Sequence, residues 1–171
     1  MVKSVERYPV WIIVCSNLLT LSIYALGFII FLKWHILLAL LYLLYCAVME
    51  LNLLKRGCVD CYYYGKPCGF GRGLVCALFF PKGDPKKFAA RNVTWSAMLP
   101  DFLVSIFPLI GGTVLLIRHF SWTIVAAVAA ILILSSMGNA LVRGKLVCRI
   151  CRQRDIGCPA EQLFNKKRGK K

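Results

Sequence analysis

Apolar residues fall into four long runs, at positions 8–32, 34–54, 98–117 and 122–142, divided by short turns or by strongly polar segments. A helix needs ~20 residues to cross the ~30 Å hydrocarbon core of a bilayer, and each run reaches that length. Backbone groups cannot be left unpaired in lipid, so the runs are expected to be helices. The ten-residue alternation of a transmembrane barrel strand is absent. The first run follows Lys3 and Arg7, as a secretory signal does. It is longer than a signal h-region of ~7–15 residues, and its end, Phe28-Ile29-Ile30-Phe31-Leu32-Lys33, offers no small-residue cleavage site. It reads as a retained span.

Composition agrees. Of the 171 residues, 59% are hydrophobic and 17% charged, against ~45–50% and ~25% in a soluble domain. Disorder, collagen and a disulfide-knotted secreted scaffold are excluded. The expected fold is an all-α membrane protein of one domain over residues 1–171, with four transmembrane helices.

The net charge is +15, and its distribution sets the orientation. Of the 22 Lys and Arg, only Lys33 and Arg118 fall on the side of the short turns. The rest lie before span one, between spans two and three, and after span four. The positive-inside rule then makes both termini and the long loop cytoplasmic, in a multi-pass protein of the cell membrane. Trp34 and Trp122 are expected at the outer interface, with Trp11 and Trp95 near the inner one. Asn92-Val93-Thr94 matches a glycosylation acceptor but faces the wrong compartment.

The two halves read as copies. Residues 27–33, Gly-Phe-Ile-Ile-Phe-Leu-Lys, precede by 85 positions residues 112–118, Gly-Thr-Val-Leu-Leu-Ile-Arg. After each hairpin comes the spacing Cys-x2-Cys-x6-Cys, as Cys58, Cys61, Cys68 and as Cys148, Cys151, Cys158. Leu78-Phe79 matches Leu163-Phe164. Repeat one covers 8–92, repeat two 93–165, and a basic tail 166–171. Both copies run in the same sense, which predicts parallel repeats about an axis along the membrane normal, each with a cytoplasmic cysteine segment. The register slips by five residues in or just after span four and slips back in the glycine-rich stretch 69–73.

Within the spans, Ala126, Ala127, Ala129, Ala130, Ser135, Ser136, Gly138 and Ala140 favour close helix packing. Pro108 and Gly111-Gly112 are expected to loosen span three. The strongly polar residues are Asn17, Glu50, Asn52, Asp101 and Asn139. Intramembrane ionisable groups are functional candidates by default. Glu50 and Asp101 sit near the inner helix ends, so the expectation for both is that they reach headgroup water.

Seven of the nine cysteines lie outside the apolar runs. A cytoplasmic location disfavours disulfides. Cys15 and Cys46, inside spans, read as small hydrophobes. A Cys-x2-Cys turn suits a tetrahedral metal with Zn–S bonds of ~2.3 Å, and two such turns make a four-thiolate site. The predicted metal set is Cys58, Cys61, Cys68, Cys148, Cys151 and Cys158, holding one or two zinc ions. Cys76 has no counterpart in the second copy, where Glu161 stands, and is left outside the set. A site of Cys58, Cys61, Cys68 and Cys76 alone, an iron–sulfur cluster and a Cys-x-x-Cys redox pair are the alternatives.

The doubled spacing resembles that of the fungal binuclear zinc-cluster domains, in which six cysteines hold two zinc ions. That resemblance implies a bridging role for Cys58 and Cys148. It departs from the family in that two spans separate the halves, and in that Tyr62-Tyr63-Tyr64 stand where basic residues belong. The chain is also similar to small four-span membrane proteins of anaerobic archaea and bacteria, through Cys-Tyr-Tyr-Tyr-Gly-Lys at 61–66 and Gly-Cys-Pro-Ala-Glu at 157–161. No function comes with that likeness.

Residues 75–88 read as an interfacial segment, and the loop and tail cations as a surface for anionic headgroups. Nucleic-acid binding lacks a base-reading element. The expected function is a non-enzymatic scaffold or accessory subunit of a membrane complex, with a cytoplasmic zinc–thiolate cluster joining the repeats. The alternatives are an iron–sulfur electron-transfer subunit, and a small transporter or lipid-modifying enzyme using Glu50, Asp101 and Asn17 in a cavity between repeats. No phosphate loop, acid–base pair or nucleophile motif favours an enzyme, and no reaction is assigned.

Overall fold

The computed structural model describes residues 4–91 and 94–159. The acceptor at Asn92, the match at Leu163-Phe164 and the tail 166–171 lie outside the described residues. The chain forms helices α1 (Val10–Trp34), α2 (Ile36–Leu53), α3 (Arg72–Phe79), α4 (Pro85–Ala89), α5 (Trp95–Arg118), α6 (Trp122–Ile133) and α7 (Arg152–Gly157). Among the described residues there is no sheet, only a bridge between Val5 and Cys151.

Four helices are long and apolar enough to span a membrane: Val10–Trp34, Ile36–Cys58, Trp95–Arg118 and Trp122–Ile150. They match the four apolar runs and are longer at several ends. The greatest extension is in span four. Past α6 its backbone continues through wide π-type turns at Leu134–Gly138 and Ala140–Val147, so Arg143 and Lys145 belong to the helix. A shorter wide turn, Leu54–Cys58, ends span two. Outward positions are large and apolar, with Leu37 61% and Leu44 60% exposed on α2, as contact with lipid tails requires.

Helix α1 is the hub, packing on α2, α5 and α6 and on the wide turns that follow α6. Two close approaches use glycine. A Cβ on Gly27 would lie 2.5 Å from the Tyr42 hydroxyl of α2, and one on Gly112 would lie 2.4 Å from Val128 of α6. Each hairpin is thus closed where one helix bares its backbone to a side chain of the next.

Tyr42 has a second task. Pro108 lies inside α5 and has no N–H, which strips the Val104 carbonyl of its intrahelical donor. The Tyr42 hydroxyl donates to that carbonyl at 2.9 Å, and Tyr45 donates to the Pro100 carbonyl at 2.7 Å. Proline in a membrane helix is tolerated when a neighbour re-satisfies the freed group. At the end of the bundle that carries the short turns, the Trp34 indole donates to the Gly111 carbonyl at 3.2 Å, while the Arg118 guanidinium stands over its ring.

Replacing Tyr42 with Phe should lower the stability of the protein in detergent micelles by about 1–3 kcal/mol, the cost of an orphaned buried acceptor. Pro108→Ala restores an intrahelical donor, so Tyr42→Phe should cost less in that background. Equal costs in the two backgrounds, read from reversible unfolding curves, would show that the carbonyl is not what Tyr42 serves.

Candidate functional site

The N-terminal segment, the loop after span two and the segment after span four meet at one end of the bundle. Val5 N–H donates to the Ile150 carbonyl at 3.0 Å and Tyr8 N–H to the Pro67 carbonyl at 3.1 Å. The Tyr8 hydroxyl donates to the Val147 carbonyl at 2.8 Å. Tyr62 N–H donates to Gln153 Oε1 at 2.7 Å, and Arg152 N–H donates to the Tyr63 hydroxyl at 3.0 Å. Tyr8, Ile12, Tyr63 and Val147 form a buried cluster, against which Cys61, Cys68 and Cys151 pack. Tyr62 and Tyr63 thus supply the joint between the two cysteine segments, while the Tyr64 hydroxyl donates to the Phe80 carbonyl at 2.7 Å within the loop.

The loop owes its shape to local constraints. Gly71 takes φ +71°, a left-handed conformation that opens α3, and a Cβ on Gly73 would lie 2.1 Å from the Tyr63 carbonyl oxygen. Asp60, inside the first Cys-x2-Cys turn, accepts from Asp84 N–H at 3.0 Å and pairs with Arg91 at 3.0 Å. It ties the start of α4 to the cysteine turn.

The six predicted ligands are not gathered equally. Burial pushes the Cys61 thiol up to about 12; the Tyr63 N–H opposes the shift, and the neighbouring Cys151, Cys68 and Cys158 add to it. Burial also raises Cys151, against the Tyr8 hydroxyl and the N–H groups of Gln153 and Arg154, and with Cys158 nearby. Gly73 N–H donates to the Cys68 sulfur at 3.3 Å. Cys58 has Cys68, Cys76 and Cys61 as its thiol neighbours. Cys148 opens a 3-10 turn and is exposed. Among the described residues no three His, Cys, Asp or Glu side chains stand close enough to hold one ion. No disulfide joins any two of the cysteines among the described residues. Cys76 is fully buried and donates to the Leu54 carbonyl at 3.6 Å. Cys46 is buried, whereas Cys15 faces outward.

Behind this face a cavity of about 360 Å³ lies between the spans. Its polar wall carries Glu50, Arg72, Asp101, Asn139 and Arg143. Glu50 is fully engaged: both oxygens accept from Arg72, one at 2.7 Å from Nε, and Tyr24 donates to it at 2.6 Å. It is paired inside the protein, where the sequence suggests escape to headgroup water. Asp101 makes no hydrogen bond to a described residue, and the charges acting on it are Arg72, Arg143 and Glu50. Arg143 donates to Thr20 Oγ1 at 3.1 Å. Its Nε and the Asn139 Oδ1 are enclosed without a partner among the described residues. Phe70 lies under both guanidinium groups, at 5.4 Å from Arg72 and 5.3 Å from Arg143. Asn17 stands outside the cavity wall and holds the Phe70 carbonyl at 3.2 Å.

Arg72 and Arg143 are the functional candidates that the sequence hides. The expected span four stops at 142, so Arg143 counts there as a flanking cation. Ser135, Ser136, Asn139 and Arg143 nevertheless recur at helical spacing, a polar stripe running into the apolar run.

Comparison of the chain with protein-family models, with curated proteins and with solved structures yields no match.

Breaking the cavity pair should be expensive. Arg72→Gln strands the Glu50 carboxylate, at a cost of about 3–5 kcal/mol, and Glu50→Gln added to it should recover most of the loss. Unfolding midpoints of the two single variants and the double variant measure this. Additive losses would show that the two side chains act separately.

Proposed function

We propose that this is a membrane-embedded scaffold or accessory subunit, whose two cysteine segments bind zinc through their thiolates and lock the cytoplasmic face. The observation that carries the reading is the Tyr62–Gln153 bond, which lays the Cys61 turn beside the Cys151 turn. Backbone N–H groups at the Cys61, Cys68 and Cys151 sulfurs favour the ionised thiolate that a metal needs. Cys61 has Cys68 of its own segment and Cys151 and Cys158 of the other as thiol neighbours, and these four are the favoured set for a single ion. A second ion requires Cys58 and Cys148 to bridge. Ligation draws the thiols inward from their present spacing and replaces their protons.

Duplication and orientation belong to the same reading. Gly27 and Gly112 are matched positions, 85 apart, and each meets a side chain of the next helix in its own hairpin, Tyr42 and Val128, which supports parallel repeats. The extra wide winding of span four lies where the register slips by five residues. The charge bias supports cytoplasmic termini, with Lys82, Lys86 and Lys87 set to meet anionic headgroups.

Protein purified without oxygen and analysed for metals should contain zinc, be colourless, and lose the metal in Cys151→Ser but keep it in Cys76→Ser. Brown protein containing iron would support the electron-transfer reading instead. A metal-free protein, or equal loss in the two variants, ends the proposal. In intact cells an impermeant thiol reagent should leave Cys158 unlabelled until lysis, and labelling without lysis reverses the orientation.

A further inference from the structure

The cavity has a charge pattern that the protein does not itself complete. Arg72 and Glu50 neutralise each other, which leaves Arg143 and Asp101 with opposite charges in one wall and no ion pair between them among the described residues. Arg143 spends one donor on Thr20, and among the described residues neither the Asp101 carboxylate nor the Asn139 Oδ1 has a hydrogen-bond donor. A ligand that satisfies all three carries an anionic oxygen group and a cation with N–H donors. That is the chemistry of a zwitterion with a primary ammonium.

The shape of the site adds to this. Outer α5 packs on α6, whereas the wide turns that continue span four pack on α1, so α5 and the inner half of span four diverge. The cavity lies in that divergence, between Asp101, Ser105 and Leu109 of α5 and Ser136, Asn139 and Arg143 of span four. Its charged groups sit toward the inner end, and its wall turns apolar toward the bilayer centre, through Ile106 and Leu109. Polar at headgroup depth and apolar beyond, it follows the polarity of a phospholipid entering sideways.

We propose that the cavity between α5 and the inner half of span four binds a phosphoethanolamine group, with the phosphate on Arg143 and the ammonium on Asp101 and Asn139. The group arrives on a phosphatidylethanolamine or as a soluble phosphoethanolamine ester. A choline headgroup has no N–H for Asn139, and a glycerol headgroup has no cation for Asp101. This goes beyond the thiolate reading and does not depend on a bound metal.

The test uses the full chain, delipidated in detergent. Phosphatidylethanolamine, phosphatidylcholine, phosphatidylglycerol or soluble glycerophosphoethanolamine is added, and bound ligand is counted by native mass spectrometry, with the unfolding temperature as a second readout. Phosphatidylethanolamine should be retained about tenfold more tightly than the choline and glycerol lipids, the worth of one charge-assisted hydrogen bond. Asp101→Asn should abolish that preference, whereas Arg143→Gln should weaken the binding of every phosphate-bearing ligand about tenfold and Arg143→Lys should keep part of that binding. Binding of the soluble ester as tight as the lipid's assigns the site to a free solute; binding of the lipid alone assigns it to the membrane. Equal retention of all three lipids with no binding of the soluble ester, or an unchanged preference in Asp101→Asn, whose site on α5 is exposed and whose fold should survive, overturns the proposal.

Discussion

A polar group placed in lipid is costly until it finds a partner, and this requirement organises the bundle. It is sharpest at Val104, whose carbonyl loses its helical donor to Pro108 and regains one from Tyr42 on another span. Because Tyr42 reaches that carbonyl only across the bare backbone of Gly27, one hydrogen bond fixes α1, α2 and α5 together. In water the same carbonyl would bind solvent and the three helices would have no such reason to meet. Apolar contact gives little drive between helices in a bilayer, so bonds of this kind and close glycine contacts carry the specificity.

The same requirement explains the charged cavity. A carboxylate as deep as Glu50 survives by taking two bonds from Arg72 and one from Tyr24. Arg72 comes from the loop beyond span two, so this pair also draws the cysteine-bearing loop onto the membrane domain. Fold and site are therefore not separable here. The ion pair that makes Glu50 tolerable also anchors the stretch between the first cysteine segment and α3.

The spans were legible in the sequence because their signal is length and polarity, and lipid admits only one backbone solution for such runs. The existence of all four follows from the apolar runs alone. The meeting of the N-terminal, loop and C-terminal segments at one end also follows, since an even number of short-turned spans leaves them there. The partners of polar residues were not legible. Glu50 looks like a helix-end carboxylate until Arg72, 22 positions on, folds back upon it. Arg143 looks like a flanking cation until the wide turns keep span four helical to Val147. Nothing in local composition marks such winding, which lets Ser135, Ser136, Asn139 and Arg143 face a common space. The cysteine spacing was plain; the tyrosine and glutamine side chains that align the two segments carry no comparable pattern.

Between Cys68 and Arg72 the chain is short, yet it touches both polar regions of the molecule. Cys68 belongs to the cysteine face, Phe70 lies under two guanidinium groups of the cavity, and Arg72 holds Glu50. Fixing the backbone of one residue costs ~1–2 kcal/mol of conformational entropy, so ordering these five is a substantial charge against folding. Here that ordering is incurred once and serves both places, because the same few dihedral angles set the sulfur on one side and the aromatic ring and guanidinium on the other.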